Sequence, residues 1–219
     1  MKITRLAFLA APVALALSLA ACEDPAANKP KAVVSSATPP STGAAPGQAA
    51  GPREAMQLDS ASSSVGFVGS KVTGKHEGKF EKVFGSVELV GGKLEGGKII
   101  IDVELGSVKT DQEKLDGHLK NGDFFDVAKF LKSTFTSSEI KAGGAAGATH
   151  TITGELDLHG MKKTITFPAT VTVTGDAVSG TAEFSINRKD FGIAYAGKAD
   201  DLIRDDVLLK INLKANRKK

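Results

Sequence analysis

From Met56 to the C-terminus, apolar residues return at every second position, and this spacing of two constrains the chain more than any other feature. Val65, Phe67 and Gly69 alternate with Gly66, Val68 and Ser70. Ile99, Ile101, Val103 and Leu105 share one face, as do Ile152, Gly154, Leu156 and Leu158. Ile165, Phe167, Ala169, Val171 and Val173 form another such row. Val178, Gly180, Ala182, Phe184 and Ile186 form the next, and Val207, Leu209, Ile211 and Leu213 the last. Successive side chains on a strand point to opposite faces, so each row predicts a strand with one apolar face. With residues 79–89 and 133–140 added, the count is about eight strands. Gly91-Gly92, Gly96-Gly97, Gly143-Gly144, His159-Gly160 and Thr174-Gly175-Asp176 mark turns between them. Connections this short imply antiparallel neighbours. A sheet with one oily face must cover it, and closing on itself does so while removing the edges. The expected fold is all-β, a single antiparallel eight-stranded barrel.

One stretch breaks the alternation. Thr110-Asp111-Gln112-Glu113 has the spacing of a capping box, and Leu115, His118 and Leu119 fall on one helical face. Asn121-Gly122 supplies a stop. A short helix over residues 111–120 is therefore expected after the third strand, where with Phe124 and Phe125 it caps one mouth of the barrel.

The N-terminus sets the address. Lys2 and Arg5 precede an apolar run from Leu6 to Leu17, which is too short for a bilayer span of about 20 residues and reads as a signal peptide. Leu19-Ala20-Ala21-Cys22 resembles the lipobox of bacterial lipoproteins, and Cys22 is the only cysteine in the chain. The resemblance implies that residues 1–21 are removed and that Cys22 is acylated. It implies a protein anchored in the periplasm or cell envelope through its lipid, on either membrane, because multiple acyl chains hold where one does not. Residues 22–55 are dense in Ala, Pro, Ser and Gly, and are expected to be a flexible linker with a reach of roughly 30 Å that lets the domain stand clear of the membrane. Residues 56–219 form the domain. Without Lys2 and Arg5 the charge is 26 basic against 25 acidic residues, with no basic stripe before the tail, so nucleic acid is excluded as a partner. One cysteine excludes an internal disulfide and a Cys-rich metal site. A homodimer is compatible with the sequence.

Longer motifs carry a family resemblance. They are Lys114-Leu115-Asp116-Gly117-His118-Leu119, Asn121-Gly122-Asp123-Phe124-Phe125-Asp126-Val127-Ala128-Lys129-Phe130 and Ser133-Thr134-Phe135. Gly154-Glu155-Leu156-Asp157-Leu158-His159-Gly160, Ile186-Asn187-Arg188-Lys189-Asp190-Phe191-Gly192 and Asp205-Asp206-Val207 follow in order. Together they resemble the YceI-like family of periplasmic proteins, over nearly all of residues 57–215. The chain departs from the family pattern at Leu131, where a proline is frequent, and at Asp59-Ser60-Ala61-Ser62 in place of an opening His-Ser. The resemblance implies a lipocalin-like barrel that binds a polyisoprenoid, a quinone or a fatty chain. On that reading the ligand is lined by Phe67, Phe80, Phe84, Ile101, Val103, Phe135, Ile152, Leu156, Phe167, Val171, Phe184 and Ile186. Leu115, His118, Leu119, Phe124, Phe125, Arg188 and Phe191 stand at the mouth. Periodicity alone favours an interior filled by its own side chains, which would make the protein a stress or interaction module without a lipid ligand, and the family resemblance reverses that preference.

Other chemistry finds less support. His76, His118, His150 and His159 show neither His-x-His nor His-x-x-x-His spacing, so no metal or cofactor is implied. Asp116 and His118 lie two apart on the helix and point to different faces, which suits anchoring of the helix better than acid–base work. Ser62-Ser63-Ser64 lacks a nucleophile elbow, and no Gly-rich turn is followed by Lys-Ser or Lys-Thr. Asn187-Arg188-Lys189-Asp190 reads as a corner in which Arg188 and Asp190 pair, or as a cationic contact for a phosphate or quinone head group. The sequence thus describes a binding or carrier protein and not an enzyme. The energetics allow this: about 0.8 kcal/mol per buried methylene gives roughly 8 kcal/mol for ten, less several for ordering and association.

Overall fold

The alternation becomes wall. A computed structural model describes residues 24–36 and 51–217. Its strands are β1 Val33–Ser36, β2 Arg53–Leu58, β3 Ser64–Lys71, β4 Gly74–Phe80, β5 Val83–Val90, β6 Lys93–Glu104 and β7 Val108–Thr110. After helix α1 Glu113–Leu119 come β8 Lys132–Ala142, β9 His150–Leu158, β10 Met161–Thr174, β11 Ala177–Asn187, β12 Gly197–Lys198, β13 Asp201–Leu202 and β14 Asp206–Arg217. The hydrogen-bonded order β2-β5-β6-β8-β9-β10-β11-β14 returns to β2, a closed antiparallel barrel of eight staves. The first three staves are each broken once. β3, β4 and β7 continue β2, β5 and β6 beyond a corner, pairing among themselves and with β14. The corners are tied together: Glu81 N–H donates to Ser107 O, Glu104 N–H to Lys82 O, and Ser60 Oγ to Val83 O at 2.7 Å. The helix follows the third stave, as expected.

Two glycines make room for aromatic rings on the inner wall. A Cβ on Gly78 would run into the Phe67 ring, its register partner across the β3–β4 ladder. On Gly154 it would lie 2.5 Å from Phe135 Cζ. Aromatic rings laid over strand glycines fill the concave side of a tightly curved sheet, where two large side chains would collide.

Several expectations are corrected. Gly96-Gly97 does not end a strand but sits within β6, where the ladder with β5 slips between Glu88 and Val90. The helix is shorter than residues 111–120, and its N-cap is Gln112 without a side-chain cap. Thr110 forms no capping box with Glu113, although its Oγ1 accepts from the N–H of Gln112 at 3.1 Å. Its Oγ1 and backbone N–H both donate to Asp116 Oδ1 at 2.7 Å. The linker expectation fails at its described ends. Residues 51–55 already belong to β2 or its approach, and residues 24–36 lie on the barrel, with Ala26 and Ala32 buried. Low hydrophobicity hid this, because the segment is held by backbone pairing and charge. Cys22 and the signal peptide expected over residues 1–21 lie outside the described residues.

Candidate functional site

The inward rows enclose one cavity of about 240 Å³ between two apolar clusters. Around its lower part, Phe135 and Phe167 tilt against each other at 5.5 Å, and Phe167 stacks on Phe184 at 4.2 Å. Around its upper part, Phe67, Phe80 and Phe125 form a triad with centroids 5.5–6.3 Å apart. Among the described residues, polar side chains in the lining are confined to Ser133, Thr181 and Arg188. An apolar void of about 150 Å³ already stays dry and takes up a benzene-sized guest, so this one is a binding volume of a suitable kind.

Apolar side chains crowd both ends of the barrel. At the lower end Met56, Leu89, Leu94 and Ala215 are almost completely buried. At the upper end α1 and the segment that follows it bring Leu119, Phe124 and Phe125 over the opening. The connection from β11 to β14 adds Ile193 and Ile203.

Arg188 holds that connection in place. It is only 4% exposed. Its Nε donates to Arg204 O at 3.1 Å, Nη1 to Ile193 O at 2.7 Å and Nη2 to Ile203 O at 3.3 Å. Burial lowers its pKa, partly offset by the Asp205 carboxylate at 3.4 Å. The expected Arg188–Asp190 pair is replaced by Asp205. Asn187 keeps an ordinary backbone, and its Oδ1 accepts from Lys189 N–H at the start of a tight 3₁₀ turn.

The chain matches known proteins in sequence and in fold. The profile of the YceI-like domain matches residues 56–215. The chain belongs to the YceI-like family. A UPF0312 protein of Pseudomonas fluorescens is 32% identical over 139 residues, covering 61% of this chain and 71% of the relative. One from Pseudomonas putida is 31% identical over 136 residues, covering 59% and 70%. Among solved structures, Burkholderia cenocepacia BcnA superposes with a TM-score of 0.65 at 25% identity, over 73% of this chain and 99% of that one. A polyisoprenoid binding domain from Saccharophagus degradans shares the fold, with a TM-score of 0.60 at 20% identity, over 74% and 98%.

Most residues expected to line the YceI-like cavity do so: Phe67, Phe80, Ile101, Val103, Leu119, Phe124, Phe125, Phe135, Ile152, Leu156, Phe167, Val171, Phe184, Ile186 and Arg188. Four do not. Phe84 is 51% exposed on the outer wall. An unbroken strand over residues 79–89 would put Phe80 and Phe84 on one face, but the break at Glu81-Lys82 lets Phe80 and Val83 both point inward and turns Phe84 outward. Phe191 is fully buried in the 3₁₀ turn, packed into the lower cluster without reaching the cavity wall. Leu115 packs beneath α1. His118 stands edge-on to Phe124 and Tyr195, hydrogen-bonded to Asp123 at 3.0 Å. Val65, Leu94, Ile99, Ile165 and Leu209 line the cavity and were not singled out, although the alternation marks most of them. Ile193 and Ile203 come from a connection with no periodic signal.

Proposed function

We propose that this YceI-like protein is a lipid-anchored envelope protein whose barrel sequesters one long apolar chain, of isoprenoid or fatty type, as a binding or carrier protein. The observation that carries the reading is the unfilled apolar interior. About 240 Å³ is left open inside an apolar barrel that its own side chains have not filled, which favours a cargo over a module with a packed core. A wall of this kind recognises methylene and isoprene units by burial and needs few polar contacts. The fold shared with a polyisoprenoid binding domain supports an isoprenoid cargo. The lipobox-like Leu19-Ala20-Ala21-Cys22 supports anchoring through acylated Cys22. Among the described residues the cavity lining offers no pair of acid and base or nucleophile and base, which supports sequestration over catalysis.

Solvent extraction of the purified mature protein, followed by mass spectrometry, tests the cargo. A co-purifying amphiphile near one per protein is the expected result. Protein that carries none, and takes up neither a prenyl nor a fatty probe, overturns it. Metabolic labelling with an alkyne fatty acid tests the anchor, and label that persists in Cys22→Ser overturns it.

A further inference from the structure

Staves β10 and β11 separate partway along their length. They pair from Thr170 with Thr181 to Thr174 with Ala177 and no further, although β10 begins at Met161 and β11 runs to Asn187. The residues flanking this slit, Ile165, Phe167 and Ala169 on one side and Ala182, Phe184 and Ile186 on the other, all line the cavity. The slit therefore opens directly on the binding volume.

The chain's own N-terminal segment fills it. Ala32 N–H donates to Ser185 O, and Ser185 N–H to Pro30 O. The next residues, β1, pair antiparallel with β10 from Val33 opposite Thr166 to Ser36 opposite Lys163. Ala32 and Val34 pack against the lower cluster. Ion pairs hold the segment outside: Asp24 with Arg204, Lys29 with Glu183, and Lys31 with Asp206 at 2.7 Å. Ser185, whose backbone the segment bonds on both sides, is buried although it alternates with cavity-lining Phe184 and Ile186.

We propose that the slit is a lateral entrance to the cavity and that residues 30–36 are a removable ninth stave that closes it. The argument is comparative. Opening the lower end would expose the buried side chains of Met56, Leu89 and Leu94, and opening the upper end would break the Arg188 ties. Releasing the stave exposes two small inward side chains, a few backbone hydrogen bonds and solvent-exposed ion pairs, which individually hold little. The stave lies outside residues 56–215, the stretch that the family profile matches. A slit along the staves also suits a long chain, which enters sideways without threading through an end. The inference rests on the apolar-cargo reading above.

The test is a disulfide across the β1–β10 ladder. Ser35 and Thr164 are register partners, and Thr164 alternates with cavity-lining Ile165, so both face outward. Antiparallel partners lie within bridging distance. The full chain with Ser35→Cys, Thr164→Cys and Cys22→Ser is compared oxidised and reduced, with stopped-flow uptake of cis-parinaric acid as the readout. At least tenfold slower uptake in the oxidised form, with similar affinity, is expected. Faster uptake is expected in Lys29→Glu with Lys31→Glu. Equal rates in the two redox states with tight binding overturn the entrance and leave the cargo reading standing. A probe that binds in neither state overturns both.

Discussion

At the scale of single residues, the inner wall is set by ring-over-glycine contacts and by one buried cation. Gly154→Ala would drive a methyl group into the Phe135 ring and the Thr136 carbonyl, both 2.5 Å from the new atom. Overpacking of this kind costs about 1–3 kcal/mol, to be read as a lower midpoint in urea with an unchanged slope. Phe84→Ser changes an exposed ring on the outer wall and should move neither stability nor probe affinity by more than about 0.5 kcal/mol. Had Phe84 lined the cavity, the same change would weaken binding many-fold, so the variant checks the wall's polarity directly. Arg188→Met leaves the carbonyls of Ile193, Ile203 and Arg204 without their donor. A loss of roughly 3 kcal/mol is expected, with hydrogen exchange rising first over residues 192–205. The inward residues were legible because strand alternation assigns a face to each position, and Phe84 was misplaced where a two-residue corner reset that alternation. Arg188 was visible as a cation in a motif, but its carbonyl partners come from a connection whose path no period encodes.

At the scale of elements, strands and hairpins were legible and the attachments between elements were not. Glycine pairs such as Gly91-Gly92, both with positive φ, force tight hairpins whatever surrounds them. The anchoring of α1 depends instead on a contact between Thr110 and Asp116 that mimics a capping box in sequence and differs from it in space. Because Thr110 donates twice to Asp116, with Lys109 nearby, the carboxyl of Asp116 titrates below its ordinary value. Its folded pKa is depressed. The stability it provides is therefore present above the unfolded value of about 3.9 and is lost as pH falls through the folded one. Asp116→Asn should melt earlier than the parent at neutral pH, and the gap should narrow progressively as pH falls below about 4. A gap that persists undiminished at pH 3 would mean that Asp116 acts by packing alone. The segment 24–36 makes the same point. Its composition resembles a linker, and it docks because an open slit between β10 and β11 offers unpaired backbone, a feature visible only once the barrel is built.

At the scale of the whole molecule, the apolar side chains packed at both ends give the cavity a finite capacity, and capacity is measurable. Each methylene added to a homologous series of saturated fatty acids should strengthen binding by about 0.8 kcal/mol, close to fourfold, while it finds apolar wall. Once the interior is full the next methylene must either strain the end plugs or emerge through the slit beside β1. The affinity ladder should therefore stop at a definite chain length. With β1 locked to β10, chains beyond that length should bind more weakly than the best one. With β1 free they should bind equally well, because the excess leaves sideways. Thermal stability reports the same transition. A ligand at a hundredfold excess over its Kd stabilises by about 2.7 kcal/mol, which for a domain of this size raises Tm by roughly 5–10 °C. Tm should climb along the series and then flatten at the same chain length. A ladder that rises without limit, or one that never rises, would contradict a barrel of finite capacity with a lateral seam. The first would require an open end and the second a wall that offers no room for an alkyl chain.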